Sequence, residues 1–386
     1  MRLIKNSTII AMIVLLISCS QNQVDTDTTI DLKDFKIIEK KYPNMRNVGM
    51  ITKAIKLETN KESLIAQTDR IIVDPVSEDF IIGDFRRASR VLRFNKFGKF
   101  ICSYGKRGKG PAEYQSLKDF TIMSNGDVIL LTSMKLLKFS KDGNFLLESR
   151  IPVFAGGIEC IDDLLYISVL RYRSSNQGEK KAIIVLNPFF AKVGGIGVYD
   201  GRLDKYIFNV QNVMAKKGKK LYFIDHYDLN LNIYDTGTQK LVRLPFPNNN
   251  SILNKIWEKQ RISDSDDKEI LTKLHRFNGI LSFEDKILLL ELHRAEDLYR
   301  VWLLSLENKE ILIFDWSSLY GDFREEEKTD LYFNSIPGTF KQRLIGVIDD
   351  VENFELYKKD YPVLKDFQFS AEENPMLAFF EFHQDM

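Results

Sequence analysis

The sequence predicts an all-β protein: a six-bladed β-propeller with four-stranded blades, a small helical insertion near 250–279, and a ring closed by N- and C-terminal strands. Three observations lead there. A hairpin signature recurs along the chain at a near-constant spacing, strand-like runs come four to a unit, and one unmatched strand is left over at each end.

The signature is clearest in FNKFGKF, from Phe94, and FSKDGNF, from Phe139. Each places a glycine, Gly98 or Gly143, between two strand-like runs, as a tight hairpin demands. Fainter copies begin at Leu186 (LNPFFAKV), Tyr234 (YDTGTQKL) and Leu304 (LSLENKEIL), giving intervals of 45, 47, 48 and 70 residues. The long interval contains NSILNKIWEKQRISDSDDKEILTKLHRFNG, whose apolar residues fall at helical spacing, so a helical excursion accounts for the excess. Around the first copy, RIIVDP, DFIIGD, RVLRF and KFICSYG read as four successive strands. Four strands per unit at a period in the forties is the pattern of propeller blades. Five copies mark five blades. The leftover runs, IKLE at Ile55 and MLAFFEF from Met376, make a sixth if they pair, and that pairing removes the exposed sheet edges.

The chain opens with an address. Arg2 and Lys5 precede an apolar run from Ile9 to Ile17, which is far shorter than the roughly twenty residues a membrane-spanning helix needs. A positive start and a short apolar core form an export signal. It ends at Leu16-Ile17-Ser18-Cys19, which resembles the lipobox of bacterial lipoproteins, with small Ser18 before the cut and Cys19 supplying the sulfur that takes the lipid. The expected organisation is a signal peptide over 1–18, a flexible tether over 19–45, and the propeller over 46–386. Cys19 then carries diacylglycerol, with palmitate-type acylation, and two or more acyl chains make a stable membrane anchor. The segment after it, SQNQVDTDTTIDLKD, is too polar to bury itself.

Composition narrows the function classes. The chain has 55 basic and 54 acidic residues; removal of residues 1–18 takes Arg2 and Lys5 away, leaving 53 − 54 = −1. No basic footprint for nucleic acid exists. The 27 Phe and 15 Tyr favour strands. Cys102 and Cys160 sit in apolar runs and read as buried thiols rather than a bridge. No CxxC, HExxH or P-loop spacing occurs, and the four His are scattered. The pairs Asp162-Asp163 and Asp349-Asp350 read as solvated charge.

The run GKRGKGPAEYQSLKDFTIMSNGDVILL resembles the GxGPxEF/Y stretch of the six-bladed β-propeller lipoproteins of Bacteroides-type genomes, which in turn are similar to NHL-repeat propellers. The hairpin FNKFGKFICSYG and the Asn374-Pro375 pair before the last strand match the same pattern. The likeness covers residues 50 to 386 in outline and is specific from Ile71 to Leu131. It implies the fold and a lipid-anchored place in the cell envelope, at the outer membrane and facing either the periplasm or the surface. It implies no settled activity.

In a propeller, the turns joining second and third strands share one face with the connections between blades. With the repeats in register, the second strand ends at Asp84, Thr132, Ser168, Asp225 and Glu291. Just beyond lie Arg86, Arg171, His226, His293 and Arg294. Asp84, Arg86, Arg171, Asp225, His226, Glu291, His293 and Arg294 are the candidate ligand-binding face, suited to a small ligand, glycan, peptide or protein partner. Asp84 also has the alternative of holding its own turn, and Glu113 reads as a latch on a backbone amide in the GKGPAEY loop. Two functions follow: a non-catalytic binding lipoprotein with no cofactor, or a metal-dependent hydrolase or lyase of the lactonase or NHL-like type. The second needs a divalent cation such as calcium held by Asp84, Asp225, His226, Glu291 and His293. No catalytic residue is assigned.

Overall fold

The computed structural model describes residues 28–42, 45–173, 180–199, 214–224, 229–246, 277–283, 286–293, 298–315 and 335–383. The hairpin repeat is a turn chemistry. In FNKFG the Asn95 side chain accepts from the amides of Phe97 and Lys99, and Gly98 takes φ of +80°. Asn187 repeats the pattern with Phe189 and Ala191, while Asp235 accepts from Gly237 and Thr238. Only glycine fits at 98, since a Cβ there would lie 2.2 Å from the Lys56 carbonyl oxygen.

Each turn joins the two outer strands of an antiparallel blade. Blade 1 is Arg70–Val73, Phe80–Asp84, Arg90–Phe94 and Phe100–Ser103; blade 2 is Leu117–Ile122, Val128–Thr132, Lys135–Phe139 and Phe145–Arg150. Blade 3 is Val153–Ile161, Leu164–Tyr172, Ile183–Leu186 and Lys192–Ile196; blade 4 is Met214–Lys217, Lys220–Ile224, Leu231–Asp235 and Lys240–Leu244. Blade 5 is Phe277–Phe283, Lys286–His293, Leu298–Ser305 and Glu310–Asp315. Each blade's first strand touches the first strands of the blades before and after it, so six inner strands surround one axis.

Blade 6 is the closure. Ser335–Phe340, Arg343–Ile348 and Met376–Phe382 come from the C-terminal end, and Gly49–Lys56 from the N-terminal side is the outermost strand. The register runs from Met376 opposite Lys56 to Phe382 opposite Gly49. Leu377 and Phe379 face one neighbouring core with Ile55, while Ala378 and Phe380 face the other.

Three features depart from, or lie beyond, the sequence expectation. Most of the span expected as a helical excursion near 250–279 lies outside the described residues; its end, from Phe277, is the first strand of blade 5. The α-helix among the described residues is instead Val351–Asp360, between the second and third strands of blade 6. Asp350, read as solvated charge, is its N-cap and accepts from the Asn353 amide, while Phe354 and Tyr357 bury into the core. Asp163, read the same way, receives the amide and hydroxyl of Ser124 from the preceding blade. Lastly, part of the span read as a tether over 19–45 lies against the ring. Thr28–Thr29 pairs parallel with the outer strand of blade 4, and Lys36–Lys40 pairs parallel with that of blade 5. Those edges carry unpaired backbone groups, which an extended chain of any composition can satisfy.

If closure holds the ring together, Phe379→Ala should cost about 3–5 kcal/mol and lower a single cooperative melting transition. Deleting Met376–Phe382 should abolish that transition. Circular dichroism melts would show instead a separate, low-temperature fraying step if blade 6 were dispensable.

Candidate functional site

Two regions are described well enough to judge: the face bearing the second-to-third-strand turns, called here the crossover face, and the channel along the axis. On the crossover face Asp84 is buried and accepts four backbone N–H groups, from Ala66, Gln67, Arg87 and Ala88. It ties the chain entering blade 1 to that blade's own turn. Asp69 doubles the tie, accepting from the amides of Phe85 and Arg86 and pairing with the Arg86 guanidinium. Thr132 does the same work in blade 2, taking the amides of Met134 and Lys135.

Registration places the other candidates. Asp84, Thr132 and Ser168 occupy one equivalent position, four residues past the start of the first hairpin's return strand. In blade 4 that position is Ile224, and in blade 5 it is Leu290, so Asp225 and Glu291 come one residue later. A one-residue step turns a strand side chain to the opposite face of its sheet. Glu291 is accordingly buried and accepts from the Trp302 indole N–H at 2.7 Å. Arg171 is exposed near the end of its strand, and His293 ends the second strand of blade 5. Asp225, His226 and Arg294 lie outside the described residues. Among the described residues no three His, Cys, Asp or Glu side chains come together in a group able to hold a metal.

The GKGPAEY loop behaves as its chemistry dictates. Glu113 accepts from the Gly110 amide at 2.8 Å, and that bond, with Lys106 alongside, holds its carboxyl below the usual range. Both remaining cysteines are free thiols; burial pushes Cys160 up to about 11 and raises Cys102 as well.

The channel is where sequence reasoning was silent. Counting back three residues from each inner hairpin gives Arg70, Asp119 and Ile158 in blades 1 to 3. Arg70 reaches across the axis to Asp119 at 2.5 Å and to Glu159, the residue after Ile158. The other oxygen of Asp119 accepts from the Ile158 amide at 2.9 Å. Burial alone would lower the Arg70 pKa, but the two carboxylates outweigh it and hold the guanidinium above its ordinary range. Two residues nearer the turn, blades 4 to 6 are stitched in sequence. Thr339 donates to the Ser282 carbonyl, Ser282 to the Lys216 carbonyl, and the Lys216 ammonium to the Cys160 carbonyl. A cavity of about 170 Å³ lies between these strands, lined by Arg70, Glu159, Lys216, Ser282 and Thr339 among others. The signal for this cluster, an isolated charge inside each of three apolar inner strands, was present in RIIVDP, KDFTIM and GIECI, but nothing local distinguishes an axial residue from a solvated one.

Comparison with known proteins agrees with this architecture. A candidate exported protein of Bacteroides fragilis has a similar crystal structure, with a TM-score of 0.65 and 17% identity over 90% of this chain and 100% of that one. The WD40 repeats of RRP9 match at a TM-score of 0.47 with 10% identity over 78% of each chain, and BamB from Moraxella catarrhalis at 0.41 with 10% identity over 87% and 91%. No curated protein matches the chain. The model of one family, described as a domain of unknown function (DUF4934), matches residues 28–381, and with its six closed blades the chain belongs to that family.

Proposed function

We propose that the protein is a lipid-anchored envelope lipoprotein whose propeller is a non-catalytic binding scaffold, presenting its crossover face to a glycan, peptide or protein partner. The observation that carries this reading is the commitment to the ring itself of the described candidate acids, Asp84 and Glu291, and of the channel acids Asp119 and Glu159. Asp84 is held by four amides, Glu291 by an indole, and Asp119 with Glu159 by one guanidinium. A carboxylate held this way is a poor general base, because proton transfer would first break its existing bonds. The alternative, a hydrolase or lyase with a divalent cation in the channel, meets a donor set of the wrong charge: the centre of the described axial cluster is Arg70. The exposed Arg86, paired with Asp69, and the exposed Arg171 are the crossover-face guanidinium groups that bidentate recognition of a carboxylate or phosphate would use.

The envelope address rests on the signal run and the Leu16–Cys19 lipobox, and the similar fold of an exported Bacteroides fragilis protein supports an extracytoplasmic place. Among the described residues no helix is long and apolar enough to cross a membrane. Attachment is assigned to lipid on Cys19 on the strength of the lipobox.

Three outcomes test this reading. Cys19→Ala should lose incorporation of labelled palmitate and leave the membrane fraction; labelled, sedimenting Cys19→Ala protein would remove the anchor. On glycan and peptide arrays, Arg171→Ala should weaken capture with an unchanged melting temperature, whereas Asp84→Ala should cost about 1–3 kcal/mol of stability and leave capture intact. Turnover of an ester or lactone that EDTA abolishes would favour the enzyme instead. Finally, Arg70→Ala should destabilise by roughly 3–5 kcal/mol by stranding two buried carboxylates. Replacing Arg70, Asp119 and Glu159 together by Met, Leu and Leu should recover most of that loss in a denaturant melt.

A further inference from the structure

We propose that the outer edge of blade 3, with the adjoining edge of blade 4, is a lipid-contact rim that rests on an anionic membrane surface beside the anchor. The proposal rests on the anchored-lipoprotein reading and adds to it an orientation of the ring.

Large apolar side chains are exposed on several blades, Val76 at 84% and Phe97 at 73% on blade 1 among them, and blade 3 brings three together along one edge. Phe189, Val193 and Val198 are 80%, 56% and 70% exposed, and all three belong to the outer hairpin of blade 3 or its immediate flank. Phe189 is held at the hairpin tip by the Asn187 turn, so its exposure is imposed by the backbone. Val193 lies in the outermost strand, beside which no added strand lies among the described residues, unlike the outer strands of blades 4 and 5. A cluster of large apolar groups on one edge marks a surface that meets something other than water.

The path of the chain shows what that is. Thr28 pairs with Val242 and runs parallel to Lys240–Leu244, so the backbone enters Thr28 from the Lys240 end, where the outer hairpin of blade 4 turns. In this ring such a hairpin abuts the outer strand of the preceding blade. A Cβ at Gly98 would meet the Lys56 carbonyl of blade 6, and one at Gly143 would meet the Ser103 carbonyl of blade 1. For blades 3 and 4 the same junction is seen in the shared packing of Ile196 with Tyr234 and Leu241. The chain thus reaches Thr28 beside blade 3. Cys19 is nine residues earlier, and nine residues span at most about 30 Å when fully extended. A lipid on Cys19 therefore brings the edge of blade 3 and blade 4, rather than the far side of the ring, within reach of the bilayer.

Charge fits the same surface. Lys192 and Lys240 are exposed there, and Lys217, Lys219 and Lys220 are exposed at the inner hairpin of blade 4. Across residues 189–198, 217–224 and 229–244 the only carboxylate is Asp235, which is engaged by the amides of Gly237 and Thr238. Lysines flanking exposed Phe and Val residues are the chemistry of an interfacial contact with anionic lipid, where apolar groups enter the headgroup boundary and ammonium groups meet phosphate.

The test compares amide hydrogen exchange in the full mature protein, anchored in vesicles of phosphatidylethanolamine and phosphatidylglycerol, with exchange in unanchored Cys19→Ala protein. Mass analysis of the N-terminal peptide records the lipid. Exchange over 189–198 should slow several-fold on anchoring, while the equivalent hairpin of blade 1, residues 95–99, stays unchanged. The triple substitution Phe189→Ser, Val193→Ser, Val198→Ser should erase the slowing without moving the melting temperature, since all three side chains are exposed. Lipidated Cys19 with unchanged exchange over 189–198 overturns the proposal alone. An unmodified Cys19 overturns the anchored reading and the proposal with it. Slowing that appears only when a second protein is added assigns the edge to a protein partner and also overturns it.

Discussion

The backbone pairing of Gly49–Lys56 with Met376–Phe382 is the constraint on which the rest of the molecule depends. A ring of six blades, each burying its faces against two neighbours, leaves two raw faces and two raw edges wherever it is cut. Here the cut falls inside a blade, between its third and fourth strands. Every face then has a partner, and the termini are locked by a seven-residue ladder with Leu377, Ala378, Phe379 and Phe380 buried on alternating sides. Opening that ladder exposes two interblade cores at once, those containing Phe379 and Phe380, so closure and core packing form one cooperative unit.

Closure creates an axis, and an axis brings together six strands that cannot all be apolar. The inner strands leave carbonyls facing their neighbours, and the blades answer in two ways. Thr339, Ser282 and Lys216 each donate to the next blade's carbonyl, linking blades 6, 5, 4 and 3. Arg70 bridges blades 1, 2 and 3 through Asp119 and Glu159. Both devices hold blades at fixed spacing about the axis, and both engage polar groups that face the channel.

The N-terminal segment gives the ring a direction. It pairs with the outer strand of blade 4, then with that of blade 5, and then becomes the outer strand of blade 6. Three successive edges are covered by one passing chain, while among the described residues no strand is added to those of blades 1 to 3. Propeller symmetry is broken on the outside although the inner strands remain equivalent.

The number of blades, the hairpin positions and the composite closing blade were legible in the sequence, because each is a local matter. Asn95, Gly98 and their counterparts define turns by their own side chains and φ angles, and IKLE and MLAFFEF are strands left without local partners. The helix Val351–Asp360 escaped notice because its two core residues, Phe354 and Tyr357, make too short an apolar stripe to register as a period. The crossover-face register held for Asp84, Thr132 and Ser168 and was one residue out at Glu291, because the position is fixed only once each second strand is paired with its first. Whether Asp84 faces a ligand or four amides, and whether Arg70 is solvated or axial, depends on segments far away in sequence. The sequence by itself determined turns and strands, which are set by neighbours along the chain. Only the tertiary structure decided which charges are buried and which edges are covered, because burial and pairing belong to residues that the closed ring alone brings together.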